Sequence, residues 1–137
     1  MTVLERTHRA EETALHADVL VIGNGMVGHR LVERLVEAGH HHDHSIVVAG
    51  EERHRAYDRV HLSKLFSSDD PSVLFLGDDD LHARSGIELV LGDPVARLET
   101  TSRVARTESG RSITYSTCVL ATGSSPFVSA TSRLLTR

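Results

Sequence analysis

The sequence predicts an α/β domain built on a parallel sheet, and three observations carry that prediction. Two short apolar runs, Val19-Leu20-Val21-Ile22 and Ile46-Val47-Val48-Ala49, lack polar alternation, as strands buried on both faces do. Between them the pattern turns helical. Val27, Leu31, Leu35 and Ala38 recur on one face, with Arg30, Glu33, Arg34 and Glu37 on the other. Strand, helix and strand within about 30 residues make a βαβ unit, whose crossover is right-handed. Thirdly, the helical period disappears from Val95 to Ala121, which predicts an antiparallel β-meander crossover leading back into the sheet.

Composition sets the outer limits. The chain has 137 residues, with 15 Lys plus Arg against 19 Asp plus Glu and a formal net charge of −4. That length suits one domain with one core. The mild acidity argues against nucleic acid as a partner, because binding phosphates calls for a basic excess. A single cysteine excludes an intrachain disulfide and a CxxC pair. Glu5, Arg6, Arg9, Glu11, Glu12 and Asp18 interrupt any signal-like apolar run, and no stretch reaches the roughly 18 apolar residues of a membrane span. The expectation is a cytoplasmic domain with no membrane contact.

Element by element, residues 1–16 read as a flexible leader, and regular structure is expected from Asp18. Gly39 is placed to end the helix in a left-handed conformation. Residues 50–70 read as polar and irregular, with short helical pieces at Pro71 to Phe75 and Asp80 to Ser85. Ile87 to Leu91 is a third parallel strand, ended by Gly92-Asp93-Pro94. Val95 to Leu98, Arg103 to Thr107 and Ile113 to Tyr115 form the meander, with turns at Thr100-Thr101-Ser102 and Glu108-Ser109-Gly110. Cys118-Val119-Leu120-Ala121 is then a further buried strand, and residues 129–137 form a tail without pattern.

Chemistry concentrates between the first strand and helix. Gly23-Asn24-Gly25-Met26-Val27-Gly28 fits G-x-G-x-x-G in strand–turn–helix context, the mark of a Rossmann-like dinucleotide site. Gly23 permits the tight turn, Gly25 lets backbone approach a diphosphate, and Gly28 lets the helix pack closely on the sheet. The amides near Met26 and Val27, at the positive end of the helix, are the expected donors. Glu51 follows the second strand, where a carboxylate can accept hydrogen bonds from both ribose hydroxyls, and Glu52 is the second candidate. The competing reading is a glycine turn that only closes a βαβ unit.

Three stretches also carry a family resemblance: Asp18 to Arg30, Gly50-Glu51-Glu52, and Ala56-Tyr57-Asp58-Arg59-Val60-His61-Leu62-Ser63. Together with Gly86-Ile87-Glu88-Leu89, Gly92-Asp93 and Leu120-Ala121-Thr122-Gly123, they make the chain similar to the pyridine-nucleotide-dependent FAD oxidoreductases. Within these it resembles the N-terminal part of the assimilatory NAD(P)H nitrite reductase large subunits. The likeness runs from about Asp18 to Val128, and residues 17–128 are the expected partial FAD-binding domain. What it implies is FAD at the glycine turn. It further implies Arg59 on phosphate oxygens, Lys64 near the flavin ring, Val95 meeting the adenine through its backbone, and Thr122 and Gly123 close to the cofactor.

The resemblance also defines what is missing. No second glycine fingerprint marks a nicotinamide site, and one cysteine cannot ligate an iron–sulfur cluster, which takes about four thiolates. The expectation is a truncated or split piece of a flavin reductase. It would bind FAD at most, with NAD(P)H implied for the complete enzyme only and a second chain as possible complement. The alternatives are a stand-alone NAD or adenine-nucleotide module without turnover, and a non-functional gene fragment. No catalytic residue is assigned. His40-His41-His42-Asp43-His44 is rich in imidazole, but it lies in the turn away from the cofactor edge and is not assigned as a metal site. Cys118 reads as a strand residue and Asp78-Asp79-Asp80 as a helix start.

Overall fold

The computed structural model describes residues 14–67, 70, 74–77 and 81–124, apart from the side chains of Leu65 and Arg84. Six strands form one sheet: β1 (Ala14–Ile22), β2 (Ile46–Gly50), β3 (Glu88–Leu91), β4 (Val95–Glu99), β5 (Val104–Thr107) and β6 (Ser112–Leu120). Their spatial order is β3-β2-β1-β6-β5-β4. Strands β3, β2, β1 and β6 run parallel, while β4, β5 and β6 pair antiparallel as the meander. The α/β class, the βαβ unit and the meander crossover are therefore present as the sequence predicts.

Helix α1 (Met26–Glu37) crosses from β1 to β2. It ends at Ala38, and Gly39 turns the chain with a φ of 79°, a left-handed conformation that glycine adopts without strain. The crossover is locked at its far end by Asp18 and Ser45. The Asp18 carboxylate accepts from Ser45 N at 2.7 Å and from Ser45 Oγ at 3.0 Å, while Ser45 Oγ accepts from Asp18 N at 2.9 Å. These bonds, the one from the Ser45 amide foremost, hold the Asp18 carboxyl below its usual range.

Both faces of β2 and of the last residues of β1 are buried, which accounts for their unalternating apolar runs. The Cys118 to Ala121 run, expected to be buried too, is not, since Leu120 is 65% exposed. All five β2 residues are buried. On one face Val21, Ile46, Val48 and Ile87 pack with Val32 of α1. On the other, Leu20, Ile22, Val47, Ala49 and Val90 join Ala105, Ile113 and Tyr115, with Val95, Leu98 and Cys118 packed against them. Leu20 is wholly excluded from solvent, a burial worth about 1.5–3 kcal/mol.

Four expectations need correction. The first strand starts at Ala14 rather than Asp18, because Ala14 to Ala17 pair with Ser112 to Tyr115 of β6. The buried face of α1 is Gly28, His29 and Val32, with Leu31 and Leu35 only partly packed and Val27 73% exposed. Gly28 brings the helix so close to the sheet that the contact line rotates toward it. Residues 50–70 are not irregular throughout: a 3-10 run kinked at His61 occupies Arg59–Phe66. The separate strands expected at Ile113 to Tyr115 and Cys118 to Ala121 are one. Ser116 and Thr117, exposed polar residues between the two apolar runs, continue the strand.

Of the short helical pieces, Leu81–Arg84 (α2) is present. Phe75 instead forms an isolated antiparallel bridge with Tyr57, and residues 71–73 and 78–80 lie outside the described set, as do 125–137. Among the described residues no helix is long and apolar enough to cross a membrane. Strand β5 pairs only with Ser112 to Thr114 of β6, so Ser116–Leu120 is paired on its β1 side alone among the described residues.

The segment from Ala56 to Leu76 folds back on itself through Asp58 N to Leu74 O at 2.8 Å and Leu76 N to Ala56 O at 2.9 Å. It leans on α1 through His29, whose ring abuts Gly77 and lies 5.8 Å, between centroids, from His82 of α2. Both imidazoles are buried, and His82 Nε2 has no partner among the described residues. Glu33 Oε1 lies 3.3 Å from His29 Nε2, out of line for a hydrogen bond. Burial, then the charges of His29 and Arg55, push the His82 imidazole below its ordinary range. The folded chain thus binds fewer protons here than the unfolded one, and stability rises with pH through this group. Urea midpoints should fall between pH 7.5 and 5.5, and His82→Leu should flatten that slope.

Candidate functional site

The site grows from the place where three backbones meet. Gly23 N donates to Ala49 O at 2.8 Å and Ala121 N donates to Ile22 O at 2.7 Å, so the turn after β1 is stitched to the ends of β2 and β6. A Cβ on Gly23, whose φ is +115°, would lie 2.1 Å from Ala121 O. A Cβ on Gly28 would lie 2.2 Å from Gly23 O. Neither position accepts a side chain. The third glycine behaves differently: Gly25, extended at the N-cap of α1, has nothing within 4 Å of where a Cβ would stand.

That opening faces the unsatisfied end of a 12-residue helix. Among the described residues no side chain caps α1, and no acidic residue sits in its first turn. The first amides, those of Met26 and Val27 included, are thus left for an anion, which the positive helix end also favours. Asn24, inside the turn, buries both Oδ1 and Nδ2 without a partner among the described residues, and its Cβ lies 3.0 Å from where one would project from Gly50. Sequence reading passes over Asn24, since the fingerprint gives its position no fixed residue.

The strand ends bring the remaining groups. Glu51 and Glu52 follow Gly50 at the carboxyl end of β2, and Gly92 N donates to Glu52 O at 3.1 Å, tying this bend to the end of β3. The Glu51 carboxylate is exposed and makes no hydrogen bond or ion pair among the described residues. Glu52 differs, for its Oε1 is paired with Arg59 Nη2. The Arg59 guanidinium also lies 5.4 Å from the centroid of the Tyr57 ring.

Arg59 is delivered there by a local cap that the sequence motif hides in its Asp. Asp58 Oδ1 accepts from Val60 N at 2.9 Å and His61 N at 3.2 Å, starting the 3-10 run, while Oδ2 meets His61 Nδ1 at 2.5 Å. The His61 bond, chiefly, draws the Asp58 carboxyl below its usual range. Lys64 lies exposed farther along the same run.

Of the sequence-expected residues, Gly23, Gly25, Gly28, Met26 and Val27 share the turn, and Thr122 joins them, its amide nitrogen 3.0 Å from a Cβ on Gly23. Gly123 follows with a φ of +67°. Glu51, Glu52 and Arg59 gather at the neighbouring strand end. Val95 opens β4 and turns its side chain to the core, which leaves only its backbone for a ligand. Cys118 is half-buried, and burial pushes its thiol up, unlike a reactive cysteine. His40–His42 form a 3-10 turn at the far end of α1, and no group of three or more metal-type ligands occurs among the described residues.

A glycine-lined strand–turn–helix junction with an open helix end, and an acid just after the next strand, is the arrangement of a Rossmann-like α/β fold. The chain belongs to the pyridine nucleotide-disulphide oxidoreductase family, whose pattern matches residues 17–134. It is 42% identical over 110 residues to the nitrite reductase [NAD(P)H] large subunit of Klebsiella oxytoca, covering 80% of this chain and 12% of that protein. With the nitrite reductase (NADH) large subunit of Escherichia coli K12 the identity is 36% over 108 residues, covering 79% and 13%. The chain thus spans about an eighth of the length of these relatives.

Among solved structures, the ferredoxin reductase for the CYP199A2 system of Rhodopseudomonas palustris superposes with a TM-score of 0.72 at 27% identity, covering 82% of this chain and 28% of that one. The covalent putidaredoxin reductase–putidaredoxin complex gives a TM-score of 0.74 at 24% identity, covering 83% and 27%, a likeness of fold.

The two glycine environments separate folding from binding. Gly28→Ala forces backbone to move and should cost about 1–3 kcal/mol in urea denaturation. Gly25→Ala should leave the urea midpoint near that of the parent while weakening dinucleotide affinity in a titration.

Proposed function

We propose that this chain is the FAD-binding segment of an NAD(P)H-dependent flavin oxidoreductase of the nitrite reductase type. One observation carries the reading. The open side of Gly25, the uncapped start of α1 and the unpaired Glu51 carboxylate lie at the same end of the sheet, and these are the groups a diphosphate and a ribose require. The similarity to nitrite reductase large subunits and ferredoxin reductases favours FAD over NAD at this place.

In this reading the amides of Met26 and Val27 hold the diphosphate and Glu51 accepts from the ribose hydroxyls. Arg59 adds a planar cation suited to phosphate oxygens. The Val95 backbone meets the adenine, Lys64 lies by the isoalloxazine, and Thr122 with Gly123 lets the cofactor pass close to backbone. Residues 17–128 form the unit. A flavin held by these residues would supply the chemistry that links a two-electron hydride donor such as NAD(P)H to one-electron acceptors. The nicotinamide site and the electron acceptor then belong to other parts of a complete enzyme, on the same or a second chain.

Titration of the purified chain with FAD, followed by flavin fluorescence, tests the assignment. Saturable binding is expected, and Glu51→Ala should weaken it by about 1.5–3 kcal/mol. Thermal protection by NAD or ADP with none by FAD would replace this reading with that of an adenine-nucleotide module.

A further inference from the structure

The two adjacent acids at the end of β2 are in different states, and that difference assigns them different work. Glu51 is free, whereas Glu52 is spoken for: its carboxylate pairs with Arg59, and its carbonyl is fixed by Gly92 N at 3.1 Å. Resting on the flavin-dinucleotide reading above, we propose that Glu52 is a resident counter-ion for Arg59, a positioning residue that keeps the guanidinium at the phosphate end of the site until a diphosphate takes its place. Glu52 is then no ribose ligand.

Three features support an exchangeable partner. The pair is accessible, with the Arg59 and Glu52 side chains 55% and 36% exposed, so an incoming anion can reach it. Arg59 is held independently of Glu52, since the Asp58 cap sets the start of the 3-10 run and the Tyr57 ring lies beneath the guanidinium. Release from Glu52 therefore leaves Arg59 in reach. Lastly, Tyr57 couples to both members: burial first and the Glu52 carboxylate second push its phenol up, while Arg59 opposes them. A cation flanked by one carboxylate and one phenol needs no other anion while the site waits, and a doubly charged diphosphate with bidentate geometry competes well against a single exposed carboxylate.

The consequence has a sign opposite to that expected of a ribose ligand. To reach Arg59 the diphosphate must displace the Glu52 carboxylate from it, so removing that competing charge helps binding. Glu52→Gln preserves shape and should tighten FAD about two- to fivefold. In an Arg59→Ala background the same change should have no effect. A second readout needs no flavin: tyrosinate absorbance on alkaline titration should show Tyr57 ionising at lower pH in Glu52→Gln.

Weaker FAD binding in Glu52→Gln, or an equal change with and without Arg59, would overturn the proposal. An unmoved Tyr57 titration would overturn the pairing itself. A parent chain that binds no FAD, with Tyr57 shifted as expected, would instead overturn the flavin reading and with it this role for Glu52.

Discussion

The structure depends on the absence of side-chain volume at two points. Gly23 and Gly28 let the end of β1, the start of α1 and the exit of β6 approach to distances at which any Cβ would overlap a carbonyl oxygen. Everything nearby inherits that closeness. The helix lies low enough for Val32 to be sealed against Val21 and Val48, and β6 can run beside β1 along the length of both strands. Close packing of this kind is unforgiving, since interiors have few voids into which strain can be spread. The same geometry that secures the fold aims unsatisfied amides outward, so stability and ligand chemistry meet at one turn.

Around that rigid centre the polar groups are arranged on shorter-range devices. The Asp58 cap, the Tyr57–Phe75 bridge and the Gly92–Glu52 bond carry a loop of mostly exposed residues to the end of the sheet. Loops positioned by a scaffold are where binding residues gather, because the scaffold supplies the precision and the loop supplies the chemistry. Here a cation and two acids are placed within one bend, and among the described residues only one acid has a partner.

Much of this was legible beforehand. The βαβ unit, the meander, the glycine turn and the acid after β2 follow from apolar periodicity and a motif with a mechanical reason for each glycine. What could not be read depended on contacts between distant segments. Val27 looks like a core position by spacing, yet the close approach at Gly28 turns it outward. Polar Ser116 and Thr117 interrupt the apolar pattern between two expected strands, yet they continue one strand whose partner is far away in sequence. The pairing of Glu52 with Arg59 is invisible in composition, since Glu51 and Glu52 are chemically identical until the chain bends.

Strand β6 is an interior strand for half its length and a border for the rest. Along Ser116–Leu120 one row of peptide groups is bonded to β1, and the outward row has no strand against it among the described residues. Nature commonly blunts such borders with charge or proline. This one carries neither, and it finishes in Leu120, 65% exposed. The outward amides and carbonyls of these five residues are therefore a template on which a further strand can add.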